Sequence, residues 1–497
     1  MSPGVTYRVL ELRRRALLCM MAATVPWIVS AEGKERRLTP NERLERVLSD
    51  TRPLEVPRGR RFPVIVWPLQ GVSAEDDDGM ARIIRQLDVR GLATVGAWDY
   101  ARRDKALPAA LRLARLQKSL GIEIVVNTTG VMETFFDGDP STAHVADDGR
   151  PFFDDSFSPR VKIGCPFALR HRYSAIRAQV ETFARAYADA GLAPDIAIAD
   201  WEIDGPIEWN RAWENCRRCR RCRENIPGIA DFPKFQAALR TIRSEMQRLC
   251  YAEPMKGLFP QVRVGNYAVY PHDGYRYWHD YFEEDFAGES AKADDRARYR
   301  PWFDEFVPTG YNLAVPVVYT WYRTFGWYDF ADPDYRWFYN LLLVATNAGR
   351  SAPVGVPVIS FVHWHTTSPP GKPDASVRQM GEGAYQEILW HMLLRGHDGF
   401  AMWCPPDEIG QETRLVQEVF AESLKYNDFI LEGEPVLFDV PKSPTSVISA
   451  LRVGDRLLVR RTDFAEGPEE VVMDIGGSRV RVPRSPGKCQ VVQMGER

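Results

Sequence analysis

The sequence predicts an α/β fold: a (β/α)8 TIM barrel followed by a small C-terminal antiparallel β-sandwich domain. Three observations predict it. Short apolar runs alternate with helical stripes, making eight strand-helix units between residues 61 and 430. No Gly-x-Gly-x-x-Gly turn follows any of these runs and no P-loop is present, which argues against a doubly wound nucleotide-binding sheet. From residue 434 the pattern changes to short strand-like runs separated by Gly and Pro, as in a small antiparallel domain.

The elements follow in order. Residues 40–48 suit a short helix, 62–67 the first strand and 80–87 a helix. Residues 92–97 give the second strand, 107–120 a helix and 122–127 the third strand. A long irregular segment, 131–165, leads to a helix at 170–190, where Ile176, Val180, Phe183 and Tyr187 form one stripe. The fourth strand is 196–202, then a helix at 232–249 and the fifth strand at 262–267. Strand six at 313–319, helix 337–348, strand seven at 356–364, helix 377–394, strand eight at 399–403 and helix 412–426 complete the alternation. In the C-terminal part, 436–440, 445–451, 456–461, 470–473, 479–482 and 488–493 read as strands.

The composition, 45% hydrophobic and 26% charged over 497 residues, is that of a folded chain with a sizeable core. A net charge of -3 offers no pull toward nucleic acid. Arg13-Arg14-Arg15 precedes an apolar run, and Val29-Ser30-Ala31 offers small residues for cleavage. Residues 1–31 therefore read as a signal peptide, with a secreted or periplasmic product and no stable membrane insertion after cleavage. The expected organisation is a signal at 1–31, an N-terminal extension at 32–60, a barrel at 61–430 and an all-β domain at 434–497.

Eight cysteines are too few for a disulfide scaffold of this length. Cys216, Cys219 and Cys222 have Cys-x2-Cys-x2-Cys spacing in an Arg-rich stretch. The spacing suits a structural metal site or a disulfide knot, with Cys250 as a ligand that could fold back. No catalytic metal or other cofactor is expected.

The densest chemistry lies at the end of strand four, Asp200-Trp201-Glu202-Ile203-Asp204-Gly205-Pro206. Strand side chains alternate faces, so a strand persisting here puts Asp200, Glu202 and Asp204 on one side. Acids on an interior face are costly unless solvated, paired or used, and at the C-terminal end of a barrel strand they read as catalytic. Glu202 is the candidate general acid for glycoside cleavage, with Asp200 beside it to raise its pKa or hold a reacting group. Asp204 and Glu208 suit contacts to sugar hydroxyls. Trp67, Trp98, Tyr267, Tyr319, Trp321, Trp364 and Trp403 fall at strand ends, where aromatic faces stack on sugar rings. His363 and His365 alternate onto one face and suit hydrogen bonds to hydroxyls. The expected partner is an oligosaccharide or polysaccharide.

A second carboxylate is harder to place. Strands six and seven end without acids, and the acids after strand eight, Asp407 and Glu408, lie out in a loop. Asp99, ending strand two, is a candidate base. The scarcity favours substrate-assisted hydrolysis, in which an N-acetyl group attacks the anomeric carbon.

Asp200-Trp201-Glu202 with Pro206 beyond it resembles the strand-four motif of the hyaluronidase family. The first strand ending in Trp67, strand six ending in Tyr319 and strand eight ending in Trp403 are similar to strands of that family. More widely, Asp-x-Glu at strand four resembles other N-acetylhexosaminidase-type TIM-barrel glycoside hydrolases. The resemblance implies Glu202 as proton donor, Asp200 orienting the acetamido group, Tyr267 and Tyr319 assisting it, and Trp403 as the pocket floor. Three other readings stand beside it. One is a two-carboxylate glycosidase with Asp99, Asp407 or Glu408 as partner. Another is a non-catalytic glycan-binding barrel. The last is a metal-dependent hydrolase using His363, His365 and a strand-four acid.

Overall fold

The computed structural model describes residues 38–132, 138–158, 161–201, 212–267, 306–321, 330–367, 378–464 and 467–494. Its core is eight parallel strands: β1 (Ile65–Val66), β2 (Val95–Asp99), β3 (Val125–Gly130), β4 (Ile196–Ala199), β5 (Arg263–Asn266), β6 (Val317–Trp321), β7 (Ile359–Thr367) and β8 (Gly399–Met402). They form two arcs, β1-β8-β7-β6 and β2-β3-β4-β5. The arcs meet at both seams. Val64 N–H donates to Gly91 O and Ala93 N–H to Val64 O, at 2.8 and 2.9 Å. Across the other seam Val264 N–H donates to Asn312 Oδ1 at 2.7 Å, and Asn312 N–H to Val264 O at 3.2 Å. Gly265 allows this second approach, because a Cβ there would lie 2.4 Å from Leu313 O.

The strands alternate between two apolar environments. Ile65, Val95, Val125, Ile196, Ile198, Val315, Phe361 and Ala401 fill the barrel interior. Residues of the other parity, such as Val126, Ala197 and Ala199, pack outward on helices. The surrounding helices start where the chain supplies caps. Helix α1 (Pro40–Asp50) has a capping box from Thr39 and Glu42, and Asp76 caps α2 (Asp77–Asp88). Helix α3 (Arg103–Leu120) stops at Gly121, whose φ of 68° suits glycine. After β3 come short antiparallel pairs and then α4 (Tyr173–Asp189). After β4 come α5 (Ala212–Arg218), α6 (Arg220–Asn225) and α7 (Phe232–Gln247), the last running through a π turn into α8 (Glu253–Leu258). Helices α9 (Pro333–Ser351), α10 (Glu382–Leu393) and α11 (Ile409–Ser423) follow β6, β7 and β8, and α12 (Asn427–Glu432) comes after them. Helix α1 joins this layer, with Leu44 and Val47 in the same apolar cluster as Val419 and Phe420 of α11.

The C-terminal unit is a sandwich. Strands β9 (Glu434–Pro435), β10 (Val447–Val453), β11 (Arg456–Thr462) and β14 (Cys489–Gln493) form one antiparallel sheet. The hairpin of β12 (Glu470–Ile475) and β13 (Ser478–Pro483) covers it, burying Ile448, Ala450, Leu457 and Val459 against Ile475, Val480 and Val482. The opposite parity, Val447, Leu451 and Leu458, packs in one cluster with Phe338 and Leu389 of the barrel helices.

Several expected boundaries move for identifiable reasons. The first strand is only two residues long, between Pro63 and Pro68, neither of which can donate to a ladder. The strand lies at Glu434–Pro435, just before the expected 436–440, where none forms. There the Asp439 carbonyl is taken at 2.9 Å by Arg395 Nη2 from the barrel. The fourth strand ends at Ala199 because the backbone of Trp201 bonds to a side chain instead of a neighbouring strand.

Candidate active site at the barrel mouth

Strand register sets one layer of side chains at the C-terminal mouth. Val66 and Val362 both pair with Met402, Tyr319 with His363, and Ala199 with Asn266. The next residues along these strands, Trp67, Trp403, His363, Asp200 and Tyr267, therefore share a level with Tyr319. Asp200 has the parity of Ile196 and Ile198, which face the interior. It is buried, and its N–H donates to Thr129 Oγ1 at 2.8 Å.

The aromatic members are in contact. Trp67 meets Phe361 edge-on at 5.2 Å, and Tyr267 meets the same ring at 5.2 Å. Tyr267 lies 6.2 Å from Tyr319, and Tyr319 lies 5.3 Å from His363 and 6.3 Å from Trp403. His363 and Trp403 are 5.2 Å apart, between ring centroids. The result is a continuous floor with polar tips, suited to an amphipathic ring such as a sugar.

His363 is fixed within it. Its Nδ1 lies 3.0 Å from Trp403 O, so Nδ1 carries the hydrogen. Nε2 remains buried without a hydrogen-bond partner among the described residues. His365 is half-buried, 2.9 Å from Glu408 Oε1, and that hydrogen bond holds its pKa above the usual histidine value. Behind both rings lies Glu412, fully buried on α11. Its carboxylate accepts the backbone N–H groups of Trp364 and His365 at 3.0 and 2.9 Å, holding β7 past its last pair with β8 and within the bulge of its pairing with β6.

A polar chain joins β1 to β4. Gln70 donates to Trp67 O at 2.8 Å, and Asn127 donates to Gln70 Oε1 at 2.7 Å. Asn127 Oδ1 accepts from Thr129 N–H at 2.9 Å, and Thr129 in turn accepts from Asp200. On the outer side, Asn266 clamps the next peptide. Its Oδ1 accepts from Trp201 N–H at 2.8 Å and its Nδ2 donates to Trp201 O at 2.9 Å. Gln247 Oε1 accepts from both Asn266 and the Tyr311 hydroxyl. Gln70, Asn127, Asn266 and Glu412 did not stand out in the sequence, where nothing distinguishes a positioning amide from a loop residue. Only the strand-end position of Asn127 gave a signal.

Of the site residues expected from sequence, Trp67, Asp200, Tyr267, Tyr319, His363 and Trp403 converge, with His365 at the edge. Glu202, Asp204 and Glu208 lie outside the described residues, as does the side chain of Trp321. Trp364 has outward parity: its indole donates to Met380 O at 2.9 Å and packs against the helix-side core. Trp98 also faces outward, stacked on Phe183 at 5.5 Å and against Tyr187 at 5.1 Å. Asp99 is drawn into an ion pair with Arg102 at 2.6 Å. It lines a cavity of about 300 Å3 between β2 and the helices, away from the aromatic floor.

The cysteines regroup. Cys219 and Cys222 join His144 and Cys165, with all four donor atoms within 4.8 Å of one another and every residue buried. Cys216, expected as the third member, falls outside this group. Cys250 is elsewhere, its thiol set 3.6 Å from Tyr173 O and pushed up to about 12 by burial. This is the one group with metal-ligand spacing among the described residues, and the mouth histidines are not in it. No helix among the described residues is long and apolar enough to cross a membrane.

No known family matches the sequence, and no curated protein does. Among solved structures the chain is similar to bee venom hyaluronidase at 16% identity and a TM-score of 0.32, covering 67% of this chain and 96% of that one. A β-galactosidase from the Antarctic haloarchaeon Halorubrum lacusprofundi gives 14% identity and a TM-score of 0.42, over 73% of this chain and 58% of that one. The GH36 α-galactosidase AgaA from Geobacillus stearothermophilus gives 10% identity and 0.44, over 92% and 58%. The chain thus spans little more than half the length of the two galactosidases. Likenesses this distant do not transfer an activity.

Proposed function

We propose that this chain is a glycoside hydrolase acting on an oligosaccharide or polysaccharide at the C-terminal mouth of the barrel. One observation carries the reading: Asp200 shares a single layer with a continuous Tyr267–Tyr319–Trp403–His363 floor. A sugar ring on that floor would bury its apolar face. The Nε2 of His363, without a hydrogen-bond partner among the described residues, would accept from a hydroxyl. Glu202, two residues beyond Asp200, is the general acid in this reading. The test is digestion of a broad glycan panel with mass analysis of the products. Release of shorter saccharides supports hydrolysis; binding without release supports a glycan-binding barrel instead.

Two mechanisms fit beneath that reading. In the two-carboxylate version the partner is Glu408, favoured because its Oε2 is buried without a hydrogen bond among the described residues while Oε1 meets His365. In the substrate-assisted version the glycan contains an N-acetylhexosamine, whose acetamido group Asp200 orients with help from Tyr267 and Tyr319. Matched substrates with a 2-acetamido or a 2-hydroxy group separate them. Equal hydrolysis favours two carboxylates; a strict acetamido requirement favours substrate assistance.

A further inference from the structure

We infer that His144, Cys165, Cys219 and Cys222 bind one structural zinc ion that ties together the loops following β3 and β4. The donor set is three sulfurs and one imidazole nitrogen, all buried, with every pair of donor atoms within 4.8 Å. Zinc–sulfur bonds of about 2.3 Å in a tetrahedron require donor separations of roughly 3.8 Å. The Cys165 and Cys222 sulfurs are 3.5 Å apart, so the ligands need only small adjustments. The His144 imidazole is buried beside Cys219, and its Nδ1 has no hydrogen-bond partner among the described residues. A closed set of four ligands with no position for water belongs to a structural site.

The surroundings are built for this cluster. Val145 N–H donates to Cys219 Sγ at 3.5 Å, the kind of bond that supports a thiolate ligand. Gly164 lets the Cys165 backbone press against the neighbouring loop, since a Cβ at 164 would lie 2.0 Å from Thr142 O. Cys219 and Cys222 sit at the start of α6, one turn apart, so their sulfurs reach the same side. Arg221 donates to Ala143 O at 3.4 Å and Arg223 pairs with Asp147, joining the same two loops and placing positive charge near an anionic zinc–thiolate centre.

The position gives the site its consequence. His144 and Cys165 belong to the excursion between β3 and α4. Cys219 and Cys222 follow α5, which begins at Ala212 immediately after residues 202–211. A metal here anchors α6 to the excursion between β3 and α4. The inference does not depend on which reaction the mouth performs.

The test is metal analysis of the whole purified protein, with a thiol count after denaturation in chelator. We expect about one zinc per chain, with all three ligand cysteines titrating as free thiols. Cobalt exchange should give thiolate-to-metal charge-transfer bands and the intense visible bands of a tetrahedral centre. Cys219→Ser and His144→Ala should lose the metal, while Cys216→Ser and Cys250→Ser retain it. If the ligand variants fail to fold, the cobalt spectrum and thiol count of the unaltered protein still decide. Absence of stoichiometric metal, or two missing thiols assigned to a Cys165–Cys222 disulfide, would overturn the inference. Loss of metal in Cys216→Ser with retention in His144→Ala would assign a different ligand set and also overturn it.

Discussion

At the scale of single residues, parity decides which aromatics belong to the mouth. Trp403 and Trp98 both end barrel strands. Trp403 falls on the interior parity of β8, and Trp98 on the outward parity of β2, beneath α4. The sequence showed both as strand-end tryptophans; assigning a face needed the register, and β2 carries an irregularity between Ala97 and Asp99. Trp98→Ala should therefore cost about 3–5 kcal/mol of stability, as for other large buried aromatics, and leave glycan affinity unchanged. Thermal unfolding and a binding isotherm check it; weakened binding with unchanged stability would place Trp98 at the ligand. The strand-four acids stood out as three carboxylates two apart on an expected interior strand; the strand ends at Ala199, and of the three only Asp200 lies among the described residues. His144 and Cys165 were not legible as partners of Cys219, because their approach comes from folding between distant segments.

At the scale of elements, eight strands and the seven helices named among them were readable from hydrophobic periodicity, and most boundaries shifted by only a few residues. What could not be read was the way strand ends are held once ladder partners run out. Beyond β4 the Trp201 peptide is held by the Asn266 side chain, and past the last β7–β8 pair the Trp364 and His365 N–H groups are held by Glu412. These side chains replace ladder bonds, so their chemistry is decided by geometry. Asn266→Asp keeps the acceptor for Trp201 N–H but loses the donor to Trp201 O. It should lower stability by about 1–3 kcal/mol and lower kcat by up to roughly 10²-fold, through displaced strand-four acids. KM should change little. Steady-state kinetics alongside thermal unfolding tests it; lowered stability with unchanged kcat would make Asn266 a structural residue only.

At the scale of the whole molecule, barrel and sandwich share an apolar cluster and a set of buried polar contacts. His391 of α10 meets Ser449 Oγ at 2.7 Å and Thr462 Oγ1 at 2.9 Å, and Arg460 pairs with Glu387. Nearby, His397 meets Ser360 Oγ at 2.5 Å and Ala345 O at 2.9 Å. Burial holds His391 well below the usual histidine value and His397 down to about 4. The unfolded chain therefore binds more protons than the native one as pH falls below about 6.5, so stability declines from there toward about pH 4. For His397 the loss is on the order of 2 kcal/mol at pH 5. The melting temperature should fall between pH 7 and pH 5, and less steeply in His391→Gln than in the unaltered protein. Equal slopes would mean that His391 does not titrate on unfolding.

Under the proposed function, Glu202, two residues beyond Asp200, protonates the leaving sugar. The most direct test is turnover by Glu202→Gln on a glycan that the unaltered protein cleaves, measured together with its melting temperature. Loss of positioned proton transfer predicts a fall in kcat of roughly 10²-fold to 10⁴-fold, with the melting temperature unchanged. Undiminished turnover in the folded variant would contradict the assignment of Glu202.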